Sequence, residues 1–208
     1  GSSVKRVSAD GSEITYYWTG SYYQTTDGGG SHDRLTYSAN VWTWRDGDSQ
    51  WTETYGAHGT NSWRITGQSD ISGNTLSFTY TGNTLTRVTT ADGAYIEYSW
   101  SGSNITSMVT GYTNLATNTS ATLTRTRYGY DGQNRLTSVT VDLTPEDNAI
   151  SDANVYTTTY TYHGTTNRIA TISQTDGSSL AISYDGSGRV SSLTQTVASG
   201  DTRVTGFT

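Results

Sequence analysis

The side chains able to do chemistry are few and scattered. The histidines, His32, His58 and His163, each lie near glycine and share no short fixed spacing, so they do not form the paired ligands a zinc site needs. They read as exposed loop residues. Asp46-Gly47-Asp48, Asp131-Gly132 and Asp185-Gly186 have the Asp and Gly of calcium loops, but such loops converge several carboxylates and each hairpin turn here contributes one. Asp and Gly are also what tight turns require, and that is the favoured reading. Asp46-Gly47-Asp48 remains the best cation candidate. Glu53, Glu97 and the aspartates allow a hydrolytic carboxylate pair only as any acidic chain does, and there is no Gly-x-Ser-x-Gly elbow. No enzyme, catalytic residue, cofactor or metal is expected.

A tryptophan cluster carries more weight. Trp42, Trp44, Trp51 and Trp63 are four of the six tryptophans. Trp42 and Trp44, two apart, share one face of a strand, and Arg45, Asp48, Gln50 and Glu53 are placed to orient a sugar stacked on indole. The competing and favoured reading is packing, because large aromatics more often fill than bind.

These residues need a scaffold, and composition says what kind. Hydrophobic residues make up 32% of 208, yet 16 Tyr and 6 Trp bring aromatics to 12%. Burial must therefore rely on amphipathic rings more than on aliphatics. Abundant aromatics and β-branched residues exclude disorder. A net charge of −6, with no basic run, argues against nucleic acid. No apolar run approaches the roughly 20 residues that span a bilayer, so no membrane insertion is expected. Gly1-Ser2 reads as a tag remnant. Zero Cys excludes disulfides, and a single Pro, Pro145, suits a chain made mostly of hydrogen-bonded strands.

The positioning element is a repeat. Gly82, Gly102, Gly132, Gly164 and Gly186 each follow an aromatic strand, at steps of 20, 30, 32 and 22 residues. Before the turn stands a pair at i, i+2: Phe78/Tyr80, Tyr98/Trp100, Tyr128/Tyr130, Tyr160/Tyr162 and Ile182/Tyr184. After it comes a pair at i, i+3: Leu85/Val88, Ile105/Met108, Leu136/Val139, Ile169/Ile172 and Val190/Leu193. Odd spacing places two side chains on opposite faces unless a bulge intervenes, and fivefold recurrence favours the bulge. A second turn closes the unit at Asp92-Gly93 and Asp176-Gly177. Two units are lengthened, by inserts near 110–125 and 141–155, which read as projecting loops. Residues 1–69 form atypical capping repeats with the Trp cluster and a flexible Gly28-Gly29-Gly30 loop. Residues 70–208 carry the regular repeats.

At Tyr128–Val139, with Tyr130, Asp131, Gly132, Arg135 and Leu136, the chain resembles the YD-repeat or Rhs-repeat family of large bacterial surface and toxin proteins. Tyr184-Asp185-Gly186 with Arg189-Val190 is the second close match. Tyr162-His163-Gly164 with Arg168-Ile169, and Tyr80-Thr81-Gly82 with Leu85, lose the Asp. The resemblance implies an all-β fold in which antiparallel hairpins form a spiralling sheet, a β-shell or β-solenoid segment. It also implies a secreted or cell-surface bacterial protein whose shell encloses a toxic segment. Thr144-Pro145-Glu146-Asp147 does not match the family's self-cleavage motif, and no toxin-like domain follows the last repeat, so a wall segment without cargo is expected. Its partners would be flanking repeats or an enclosed toxin segment. The alternatives are a carbohydrate-binding or adhesion module acting on glycans, and a self-assembling extracellular β-structure.

Overall fold

Strands form wherever rings or aliphatics alternate with Thr and Ser, because a pleated strand sends successive side chains to opposite faces. A computed structural model describes residues 3–26, 32–147, 149 and 152–207, so Gly1-Ser2 and Gly28-Gly29-Gly30 lie outside the described residues. The chain divides into two units, Gly1–Tyr95 and Ile96–Thr208.

In the first unit, β1 (Ser3–Val7), β2 (Glu13–Trp18), β3 (Tyr23–Gln24), β4 (Arg34–Ser38) and β5 (Val41–Arg45) are followed by β6 (Thr52–Ala57), β7 (Trp63–Ser69), β8 (Thr75–Thr81) and β9 (Thr84–Thr90). Each pairs antiparallel with the next. β10 (Ala94–Ser101) falls across the division in sequence. Then come β11 (Asn104–Asn114), β12 (Thr119–Tyr130), β13 (Leu136–Asp142), β14 (Val155–Tyr162), β15 (Ile169–Gln174), β16 (Ser179–Tyr184), β17 (Val190–Thr196) and β18 (Thr202–Gly206). From β11 onward each again pairs antiparallel with its successor. The expected all-β antiparallel hairpin architecture is what the chain adopts.

The i, i+3 spacing is resolved by a bulge, as its recurrence predicted. In β8–β9, Tyr80 opposes Leu85 and Thr79 opposes Arg87, so Thr86 is extra. The same slip leaves Thr137 unopposed in β12–β13, Ala170 in β14–β15 and Ser191 in β16–β17. With one extra residue between them, both members of the pair return to the aromatic face: Leu136 opposes Tyr130 and Val139 opposes Tyr128, as Leu85 opposes Tyr80 and Val88 opposes Phe78. A further hairpin obeys the rule inside the atypical segment: Tyr55 opposes Ile65, Thr54 opposes Gly67, and Thr66 is extra.

Two turn forms close these hairpins. Gly82 sits at φ +56, in the left-handed region that favours glycine, whereas in the Asp131 loop that conformation falls on Asn134, at φ +60. Asn tolerates it because its short amide bonds locally. The insert near 110–125 is not a projecting loop. β11 and β12 run through it, pairing Tyr112 with Ala121 and Asn114 with Thr119, because Thr and Tyr there continue the strand pattern. The described residues of the second insert include a 3-10 turn, Pro145–Asp147.

The units differ in where they bury apolar surface. Tyr16, Leu35, Trp42 and Trp44 form a buried cluster in the first, with Val4, Ile14, Tyr23, Trp51, Tyr55 and Trp63 packed against it. In the second, the buried described residues are Gly111, Arg125 and Asp142, while its rings and aliphatics stay half-buried or exposed.

Candidate functional site

The repeat residues converge on a set of ties from one hairpin to another. Tyr130 donates its hydroxyl proton to the Ile105 carbonyl at 2.9 Å, Tyr162 to Leu136 at 2.7 Å, and Tyr184 to Ile169 at 3.1 Å. Each acceptor is the first aliphatic after the turn of the preceding unit. The bulge opposes each of these tyrosines to the aliphatic of its own unit, and the ring then reaches back one unit. Such half-buried side chain to backbone bonds each contribute on the order of 1 kcal/mol.

Trp100 stands at the place of the tying tyrosine in its unit, half-buried near the end of β10. An indole offers an N–H donor in place of the phenol hydroxyl. Val88 is half-buried opposite Phe78, and an aliphatic side chain has neither donor nor acceptor, so it packs within its own hairpin. The hairpins at Tyr80, Tyr130, Tyr162 and Tyr184 are alike in register.

Arginine runs the other way. Arg135 lies 4.5 Å from the Tyr162 ring and donates to the Gly164 carbonyl at 2.9 Å and the Thr166 carbonyl at 2.6 Å. Arg64 does the same with the Tyr80 ring, at 3.9 Å, and the Gly82 carbonyl, at 2.6 Å. Arg168 stacks over Tyr184 at 5.6 Å, and His163 reaches the Ile182 carbonyl at 2.9 Å while meeting the Tyr184 ring edge-on. Stacked guanidinium and capped turn carbonyl together fix one hairpin against the next.

The turn aspartates are consumed by their own loops. Asp131 accepts the backbone N–H of Gln133 and Arg135 and the Arg135 Nε–H, and Asp185 repeats this with Ser187 and Arg189. Backbone donors at Arg135 and Arg189 hold both carboxyls below their ordinary pKa. Asp46 accepts from the Ser49 hydroxyl and from the N–H groups of Ser49 and Asp48, so the best cation candidate is an ordinary turn. Among the described residues no group of three or more His, Asp or Glu could hold a metal.

The structure brings the four tryptophans together, but inward. Trp42 and Trp44 are each 7% exposed. Trp42 meets Trp63 edge-to-face at 5.8 Å and Tyr23 at 5.1 Å. The Trp42 and Trp63 indole N–H groups are buried without a hydrogen-bond acceptor, and an aromatic ring face is a weak substitute. Two of the four indoles are thus closed to a stacked sugar.

Around Trp44 lies a polar network that the sequence reading missed. Its N–H donates to the Tyr16 hydroxyl at 2.9 Å and to Asp33 at 3.2 Å, and the Arg6 guanidinium stacks 3.7 Å from its ring. Arg6 pairs with Glu53 at 2.7 Å; Tyr55 and Gln68 also donate to Glu53. Burial works against the Arg6 charge, but the bonds to Glu53 and Tyr55 outweigh it and raise its pKa. Burial pushes the Tyr16 phenol up to about 12, and burial with the Glu53 bond raises Tyr55. Both phenols therefore stay neutral donors at neutral pH. Donors and acceptors are paired among themselves, which suits a rigid core better than a reacting centre. Arg64 and Tyr55 had a readable signal, since Arg64-Ile65 repeats Arg135-Leu136. Arg6 and Glu53, 47 residues apart, had none.

Together these features define a tandem antiparallel hairpin protein whose units are tied by tyrosine hydroxyls and arginine forks. No protein-family model matches the sequence, and no curated protein matches it. Among solved structures the chain is similar to one in "Crystal Structure of TcdB2-TccC3-Cdc42", with a TM-score of 0.43 and 12% identity, over 96% of this chain and 13% of that chain. This chain spans about an eighth of that chain's length. No helix among the described residues is long and apolar enough to cross a membrane.

Proposed function

We propose that the chain is a wall segment of a β-shell in a large secreted or cell-surface bacterial protein, and that it scaffolds or encloses a cargo such as a toxin segment. The observation that carries this reading is the recurrent tie from Tyr130, Tyr162 and Tyr184 to the unit before. A wall must hold its course where there is little dry interior, and regular unit-to-unit bonds do that where apolar burial is thin. The YD-repeat signature at Tyr128–Val139 and Tyr184–Leu193 supports the same reading. Its partners are then flanking repeats or the enclosed segment, and no residue here has a catalytic role. Electron cryomicroscopy of the parent protein tests it. The segment is expected in a curved sheet around a lumen; a free-standing domain outside any enclosure would overturn it.

A further inference from the structure

A groove of about 500 Å³ lies across β10, β11 and β12, lined by Ser99, Thr106, Ser107, Val109, Arg125 and Arg127. The register explains its lining. Ser107 opposes Arg127 and Val109 opposes Arg125, so these four share the face away from Tyr128 and Tyr130. Adjacent residues of a regular strand face opposite sides, so Thr106 and Ser107 lining one groove implies the irregularity found after Leu85 and Leu136.

The two arginines are not equivalent. Arg125 is 5% exposed, and its Nη1 lies 3.6 Å from Asp142 Oδ2. Asp142 is itself buried; Oδ1 accepts the Thr144 N–H at 2.9 Å, while Oδ2 accepts no hydrogen bond. The Pro145–Asp147 turn packs against β12. Arg127 is exposed and has no hydrogen bond, ion pair or ring partner among the described residues. Arg64, Arg135 and Arg168 are committed to neighbouring hairpins, whereas Arg127 is not.

We propose that this groove binds the carboxylate of an acidic peptide segment, with Arg127 as the accessible cation. Asp142 offsets the charge of Arg125, which leaves Arg127 as the one uncompensated charge among the lining residues. That matches a carboxylate and is too little for a phosphate dianion. A guanidinium fork receives both oxygens of a carboxylate. Ser99, Thr106 and Ser107 supply hydroxyls that both donate and accept, as peptide amides require. The groove falls in the size range of small-ligand sites and far exceeds what a bare ion fills. Glu97, two residues before Ser99, is not part of the lining. The inference rests on the geometry of these strands and stands or falls apart from the wall reading.

The test is a titration of the whole chain with acetylated, amidated hexaglutamate at low salt, followed by NMR of the arginine Nε–H groups. The Arg127 resonance is expected to shift, with the response weakening as salt rises. Arg127→Gln should lower the affinity about tenfold or more, since a charge-assisted hydrogen bond is lost. Arg127→Lys should fall between, keeping the charge and losing the fork. Arg203→Gln, another exposed arginine, should change nothing. An unmoved Arg127 resonance or an undiminished affinity in Arg127→Gln would overturn the proposal. So would stronger binding of inorganic phosphate or of hexagalacturonate than of hexaglutamate.

Discussion

Residues 3–95 and residues 96–207 share one strand grammar and hold it in place differently. The first unit has a small closed core, with Tyr16 fully buried and Trp44 clasped by Arg6, Asp33 and Tyr16. The second buries no large apolar side chain among its described residues, and its tyrosines and arginines tie each hairpin to another instead. A core concentrates stability in a few residues. A chain of ties spreads it thinly and evenly, as in stacked repeats.

The contrast is most exposed to Trp44→Ala. Deleting a buried indole costs about 3–5 kcal/mol, read by denaturant unfolding. Amide exchange in β14–β17 should stay near its original rate; equal acceleration there would show that the two units do not hold themselves separately. Next is Glu53→Ala, which strands the Arg6 guanidinium and should cost about 3 kcal/mol, as for other buried pairs. The double change with Arg6→Leu should recover part of the loss, measured as a thermodynamic cycle.

Smaller effects sharpen the other side. Tyr162→Phe removes one hydroxyl bond and should cost about 1 kcal/mol, with Tyr130→Phe and Tyr184→Phe alike. A much larger cost at one of the three would mean that the ties are not equivalent. The smallest effect is the acid response. Asp131 and Asp185 have folded pKa values below their unfolded ones, so they stabilise above the ordinary Asp value of roughly 3.9. That contribution is lost as pH falls through the lower folded value. Asp185→Asn should flatten the acid limb of the melting temperature against pH, and an unchanged limb would remove the turn carboxylate from the account.

Much of this was legible because the repeat writes it locally. The aromatic pair, the turn and the odd spacing specify strand, loop and bulge from Leu76 onward, since each depends on residues within a dozen positions. Register was readable where bonding was not: the aromatic and aliphatic pairs predict facing side chains, but not that the Tyr130, Tyr162 and Tyr184 hydroxyls reach the unit before. The hairpin at Tyr55 was harder to see, because its second cross-strand pair is Glu53 with Gln68, polar where the others are apolar. The first insert reads as loop on its low hydrophobicity, whereas Thr on a half-exposed strand needs little burial. The core around Trp44 depends on long-range pairing of polar groups, which leaves no periodic trace.

In the second unit the bonds of Tyr130, Tyr162 and Arg135 gather toward the Asp131 and Gly164 turns, while the opposite margin has the Tyr156–Asp176 bond and the Arg125–Asp142 pair, and the long β11–β12 hairpin ends at 115–118, beyond all of them. The ribbon thus has one densely stitched margin and one sparsely stitched. Foreign sequence grafted after Thr117 would leave every stitch intact, so that margin can lengthen and diversify while the seam opposite keeps the course.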